Sequence, residues 1–425
     1  MSGLSFNLRN VSLHLIDDLF GDHADELSRS APPEVQPATT SGDHASTAAA
    51  GNLAPPSGNG LFGWLSDGVK DIVGGIGKGV TDVAGGIVGD VEDIGRGIGD
   101  ATLGCLRNVA QGDFAEAASS VVRGCDRAVF QSAERLEYGL LEGQQDVFDG
   151  CADALGPIGE PLRWVGDRVF DSCFTTVDTV TGVVRDAARL VPDTAIGFMA
   201  DTGNALRTAA KGDLWDATQQ FGMAYVNAAT HPLGFAASET MRCLQADASI
   251  AQTWLGMEPL GRRLTDDEIK ELKKVYGNSI DYGRVRVKDG GWLSDNMFKA
   301  AHTVGNTVYL SSADIGSAGT LAHEVGHVWQ NQNGGGDYIA NAVFSNAWYQ
   351  VATGDRNNAY DWQRGLANGE SFATMNYEQR AQATEDIHYA LADDNRITQS
   401  DGYTAEEVRF LRRVAKQVRH EEGAG

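Results

Sequence analysis

Two histidines and a glutamate define the chemistry this chain can attempt. His323-Glu324-Val325-Gly326-His327 is an H-E-x-x-H arrangement inside GTLAHEVGHVWQNQ, residues 319–332. On an α-helix, residues four apart lie one above the other, so both imidazoles can reach one ion. Zinc accepts neutral imidazole nitrogens in a four-coordinate shell, and two histidines from one turn supply half of it. Glu324 stands beside them, where a carboxylate can take a proton from water at such an ion. Leu321, Val325, Val328 and Trp329 recur at helical spacing and Gly334-Gly335-Gly336 ends the run, so the motif is expected on a helix.

A third ligand must come from elsewhere. Gln330 and Asn333 occupy the positions where the extended H-E-x-x-H-x-x-G-x-x-H pattern requires Gly and His. Downstream, Glu378 opens a helical stretch whose inward face also carries Ala381, Gln382 and Glu385. The small Ala381 permits close approach to the metal helix, and Gln382 is suited to hydrogen-bond a ligand histidine from behind. Glu378 is the favoured ligand, Glu385 the next, with Glu370 and His388 behind them. Tyr377 or Tyr389 is suited to stabilise the oxyanion formed when water attacks a carbonyl, and position alone does not choose between them.

The elements that must hold these residues belong to a chain of 425 residues, long enough for two or three domains. A formal net charge of −24 argues against nucleic acid or an anionic membrane as a resting partner. The first residues, MSGLSFNLRNVSLHLIDDLF, lack the basic start, apolar core and cleavage site of a secretory signal. No run of about 20 apolar residues suggests a membrane span. Synthesis in the cytoplasm is therefore expected, with any export or injection relying on another carrier. Cys105, Cys125, Cys151, Cys173 and Cys243 are an odd number without C-x-x-C spacing, and read as reduced, mostly buried small apolar residues.

Residues 1–60 form a leader: two-residue alternation up to Leu15 fits a short strand or a docking peptide, and 21–60 is a Pro-, Ala- and Ser-rich tether expected to be disordered. Residues 61–255 read as a Gly-rich helical module. Within 61–104, Asp71, Asp82 and Asp93 each open a similar eleven-residue unit, and an apolar stripe runs from Val69 to Ile98. Glycines one turn apart there suit close packing against neighbouring helices, or alternatively contact with a membrane. CLRNVAQGDFAEA from Cys105 recurs as ALRTAAKGDLWDA from Ala205, and each Gly-Asp pair reads as a helix end followed by an N-cap. Helices here are expected to be interrupted by Gly and Pro, and His231, before Pro232, reads as a loop residue.

Residues 256–425 read as an α+β domain. Thr265/Glu268 and Thr404/Glu407 are capping boxes, Tyr282–Val287 and Asn306–Leu310 alternate like strands, and a helix is expected over Ser371–Asp393. Residues 262–390 resemble the zinc metallopeptidase domain, H-E-x-x-H and gluzincin-like, associated with extracellular contractile injection systems and Vgr-like spike proteins. The resemblance is carried by LTDDEIKELKKVYGNSIDYGRVRV (264–287), NTVYLS (306–311), LAHEVGHVWQNQ (321–332) and YEQRAQ (377–382). It implies His323, His327 and Glu378 as zinc ligands and Glu324 as general base. Many gluzincin-like relatives have Asp where Gln382 stands. The expected protein is thus mainly α, with a leader, a helical module and a zincin-like domain. Its expected function is that of a zinc metalloendopeptidase acting on a protein or peptide, loaded through its leader into a contractile injection particle. A membrane-active toxin working through 61–104 and a non-catalytic structural adaptor of such a particle are the alternatives.

Overall fold

The computed structural model describes residues 114–392, 397 and 402–420, with the single positions 74, 78, 102, 103 and 105. The chain divides into residues 1–54 and 55–425, and all described residues belong to the second unit. The leader 1–60, its docking alternation and the eleven-residue repeats therefore lie outside the described residues, apart from the single positions within 61–104. What is described is mainly α, as expected, with one small sheet.

Two long helices form an antiparallel hairpin. After α1 (Phe114–Asp126), a π-turn and α2 (Ser132–Ala154), helix α3 runs from Gly159 to Ala210 and α4 from Leu214 to Leu255. Gly212 and Asp213 make the turn between them, and the Asp213 carboxylate accepts the Asp216 amide as an N-cap. The interruptions at Gly156-Pro157 and Gly212-Asp213 are as expected, but Pro192 and Pro232 lie inside the helices and do not end them. Packing along both helices outweighs the hydrogen bond that each proline removes. His231 is consequently helical rather than in a loop. Its ring bridges Thr194 of α3, 2.6 Å from the hydroxyl, and the carboxylate of Asp337. The cysteine expectation is half right. All five are free thiols, but Cys125, Cys151 and Cys243 sit on exposed helix faces.

Gly256 ends α4 in the left-handed region, and the remaining residues build the layer that carries the histidines. A four-stranded sheet has the order β1-β2-β4-β3, with β1 Arg262–Arg263, β2 Arg286–Asp289, β3 His302–Val304 and β4 Thr307–Leu310. β2 and β4 run parallel, Val287 opposite Val308, while β3 and β4 form a hairpin with Thr303 opposite Val308. Gly305 turns this hairpin at φ +62, and a Cβ there would strike Asp178 of α3, which binds the Asn306 amide at 3.0 Å. Helix α6 (Ala318–Gly334) packs against β3 and β4, and α5 (Asp266–Tyr276) packs against α6; they are followed by α7 (Tyr338–Thr353), the short α8 (Trp362–Ala367), α9 (Tyr377–Ala392) and α10 (Ala405–Arg419). Both capping boxes form, at Thr265/Glu268 and Thr404/Glu407. Tyr282–Arg284 is a 3-10 turn that precedes strand β2. The expected helix over Ser371–Asp393 breaks at Met375-Asn376, where the Asn376 side chain caps the Gln379 amide and starts α9. One apolar cluster from Leu264 to Val418, with Trp329 and Trp362 fully buried, joins these elements.

The hairpin meets this layer through buried charges. Asp186 of α3 accepts from Arg242 of α4 at 2.7 Å and from the Gly336 amide at 2.8 Å, while Arg185 donates to Asn331 of α6 at 3.1 Å. Lys288 of β2 reaches Asp171 of α3 at 2.9 Å and Glu258 at 2.6 Å, and Arg284 pairs with Glu134 of α2. Such pairs gain little over apolar packing, but breaking one strands a charge and costs about 3–5 kcal/mol. Replacing Asp186 by Ala is expected to lower unfolding free energy by about that amount in urea titrations, because Arg185 and Arg242 remain buried. His231 adds a pH-dependent clasp. Its hydrogen bond to the Asp337 carboxylate lifts its pKa above the ordinary value against the opposing effect of burial, with Asp193 adding in the same direction. A raised folded pKa contributes stability below the unfolded value that is lost as pH climbs through the folded one. The destabilisation caused by His231→Ala should accordingly be larger at about pH 5.5 than at about pH 9 in the same titrations.

Candidate metal centre

Helix α6 starts at Ser317, whose hydroxyl caps the Thr320 amide, and almost every side chain along it is buried. Leu321, Val325, Val328 and Trp329 face the core, which leaves His323, Glu324 and His327 for the other side. Helix α9 runs antiparallel across that side. A Cβ at Gly326 would lie 2.9 Å from the Thr384 hydroxyl and 3.3 Å from the Cα of Ala381, so the two backbones meet where both residues are small. Tyr276 of α5 secures the crossing by hydrogen bonds to the Ala322 carbonyl at 2.6 Å and to Thr384 at 2.9 Å.

This crossing brings three of the expected residues together. Glu378, in the first turn of α9, holds Oε2 3.2 Å from the Nε2 of His323 and 3.2 Å from that of His327. Their ligand atoms all lie within 4.8 Å of one another, and all three residues are buried. Two imidazoles and one carboxylate converging on a point, with the second carboxylate oxygen bound by Asn346 of α7 at 3.0 Å, are a donor set that fits a zinc ion. Each imidazole is oriented through its far nitrogen. His327 Nδ1 lies 2.8 Å from Gln330 Oε1, and Gln330 is anchored by donating to the Tyr377 carbonyl at 2.9 Å. His323 Nδ1 lies 3.3 Å from Glu385. Burial lowers the His323 pKa, but the carboxylates of Glu378 and Glu385 outweigh it and raise it to about 10. Burial raises the Glu378 carboxyl, and the imidazoles of His327 and His323 overcome that and hold it well below its usual range.

Glu324 points to the sheet. Its Oε2 accepts the hydroxyl of Thr303 on edge strand β3 at 2.7 Å. Burial raises its pKa despite the two imidazoles and the Thr303 hydroxyl. Tyr338 stacks on the His327 ring at 5.5 Å and ties it to the same strand, accepting the Gly305 amide and donating to the Thr303 carbonyl.

Other expected residues are arranged differently. Glu385 orients His323. Gln382 turns away to donate to Asp386 at 3.2 Å, so Gln330 orients His327 instead. Glu370 lies beside Gly365, and His388 lies near Glu271 and Lys274. Tyr377 is buried under the Arg380 guanidinium. Tyr389 is 55% exposed, with its hydroxyl over Gly319, one turn before His323. Tyr360, from the 3-10 turn Arg356–Tyr360, is a second tyrosine against the cluster beside Tyr338: its ring lies 5.7 Å from that of His323, and burial raises its phenol above the usual range. Thr303 and Tyr360 carry no sequence signal, being ordinary residues brought in by the strand hairpin and a loop. Gln330 had one, its position three after His327.

The family model described as the eCIS core domain matches residues 264–335, which spans α5 to α6 with both histidines and stops before Glu378. The Type VI secretion system spike protein VgrG2b of Pseudomonas aeruginosa is 27% identical over 136 residues, covering 30% of this chain and 13% of that protein. The chain thus spans about an eighth of that curated relative's length. No solved structure matches. These similarities connect the chain with contractile injection systems and spike-like proteins. The arrangement behind His327 is open to a direct check. Gln330→Ala should weaken zinc binding about 10–100-fold in chelator competition while helix content stays unchanged.

Proposed function

We propose that this chain is a zinc-dependent endopeptidase carried by a contractile injection system, hydrolysing peptide bonds of a protein in the recipient cell. The observation that carries this reading is the convergence of His323, His327 and Glu378 with the carboxylate of Glu324 alongside. His323, His327 and Glu378 would hold the ion, and a zinc ion there supplies Lewis acidity to water and to the scissile carbonyl. Glu324, steadied by Thr303, takes a proton from the attacking water and passes it to the departing amine as the C–N bond breaks. The Tyr360 phenol, beside His323, is the donor suited to the negative charge growing on the carbonyl oxygen. Delivery by an injection particle is supported by the eCIS core and spike-protein similarities. The membrane-active alternative rests on 61–104, largely outside the described residues, and no described helix is long and apolar enough to cross a membrane.

Purified protein should contain about one zinc per chain. Glu324→Gln is expected to retain that zinc and the fold while cleavage of a peptide library drops at least about 100-fold. Undiminished cleavage by the zinc-loaded variant would reject the reading. Full zinc content without cleavage by wild type would leave the adaptor reading in its place.

A further inference from the structure

Strand β3 is three residues long and lies at the edge of the sheet, paired with β4 alone. A hairpin of that size has little stability of its own, so its place is fixed from outside. Its place matters, because Thr303 donates its hydroxyl to the Glu324 carboxylate at 2.7 Å. The turn joining β3 to β4 is Gly305-Asn306, and both residues are seated on Asp178 of α3. Asp178 Oδ2 accepts the Asn306 amide at 3.0 Å, and Oδ1 accepts the Asn306 side-chain Nδ2 at 2.5 Å. The same carboxylate fills the space that a Cβ on Gly305 would need. Asn306 is buried, and its own Oδ1 accepts from Gln332 of α6 at 2.7 Å. A two-pronged acceptor on a long helix thus pins the turn two residues beyond Thr303.

We propose that Asp178 is a positioning residue for the general base: through Asn306 and Gly305 it fixes β3, and through Thr303 it sets the Glu324 carboxylate beside the histidines. This role rests on the peptidase reading above. The plain role of a buried acid on α3 is to dock the hairpin, and two others do that. Asp171 meets Lys288 of β2 at 2.9 Å and the Gly261 amide at 2.8 Å. Asp186 meets Arg242 at 2.7 Å and the Gly336 amide at 2.8 Å. Each of these holds a cation directly, and among the described residues neither is hydrogen-bonded to β3 or its turn. Asp178 gives both oxygens to Asn306 instead. The metal ligands have separate supports in Gln330, Glu385 and Asn346, so Asp178 governs the base without governing zinc. Displacing a catalytic group by about 1 Å costs on the order of 100-fold in rate. Asp178 lies outside residues 264–335, the stretch matched by the eCIS core model, so the hairpin is a working part of the catalytic apparatus and not an appendage to it.

A double-mutant cycle in the full, zinc-loaded chain tests this. Asp178→Asn keeps the shape and removes one acceptor, and Thr303→Val removes the hydroxyl. Each alone should lower kcat about 10–100-fold with KM within about twofold of wild type. The double variant should turn over within about twofold of Thr303→Val alone, because both substitutions cut one chain of contacts. Zinc affinity in chelator competition should stay within about threefold of wild type, since the groups behind the ligands are intact. Amide exchange over residues 302–305 should quicken at least about tenfold in Asp178→Asn. Asp171→Asn, an equivalent loss of a buried acid on the same helix, should leave kcat and that exchange as in wild type. Rate losses that multiply in the double variant, or an equal loss in Asp171→Asn, would overturn the proposal, since both describe general damage to the fold. Should Asp178→Asn fail to fold, Asn306→Ala removes one prong with every buried charge in place, and its cycle with Thr303→Val is read in the same way. A zinc-loaded wild type that cleaves nothing would reject the peptidase reading instead. Exchange over 302–305 then decides, and its being unchanged in Asp178→Asn would overturn the role of Asp178.

Discussion

Everything at the histidine cluster depends on how closely two helix backbones can approach. Glu378 reaches both imidazoles because α9 crosses α6 where Gly326 faces Ala381 and Thr384, with no side chain to hold the helices apart. A larger residue at either position separates the helices by some fraction of an ångström at least, and the carboxylate then serves one histidine or neither. The two unspecified positions of the motif are therefore constrained as well. Val325 faces the apolar core, and Gly326 sets the spacing. Tyr276 reinforces that spacing from a third helix by joining the α6 backbone to Thr384.

Around this crossing, the sheet hairpin supplies the second half of the geometry. Thr303 holds Glu324, Tyr338 joins β3 to His327, and the Gly305 turn is seated on Asp178 of the long hairpin. The helical module and the histidine layer are thus continuous at the level of hydrogen bonds, although the apolar core begins only at Leu264. Apolar burial shapes the layer that holds the cluster, and ion pairs set where the hairpin lies on it.

Much of the cluster was legible in the chain because it is written in local spacing. H-E-x-x-H is a one-turn pattern, capping boxes are four-residue patterns, and both appear where the sequence puts them. Glu378 was legible as the acid opening a helix with a small inward face. What could not be read was set by contacts distant in sequence. Choosing Gln330 over Gln382 behind His327 depends on the angle at which α9 arrives, and Tyr360 comes from a loop with no period to announce it. The long hairpin misled for a different reason. Pro192 and Pro232 normally mark helix ends, but here tertiary packing carries the helix through them, and buried arginines invert the usual amphipathic reading.

The ionic seam also has a calorimetric consequence. Heat-capacity change on unfolding is driven upward by newly wetted apolar area and downward by newly wetted polar area. Parting the hairpin from the histidine layer wets Arg185, Asp186, Arg242 and Lys288, so it should contribute little to that quantity, or even reduce it. The layer beneath, built around Trp329 and Trp362, carries the ordinary positive signature. Two parts of one chain, joined by many bonds, would thereby respond to warming with differently curved stability profiles.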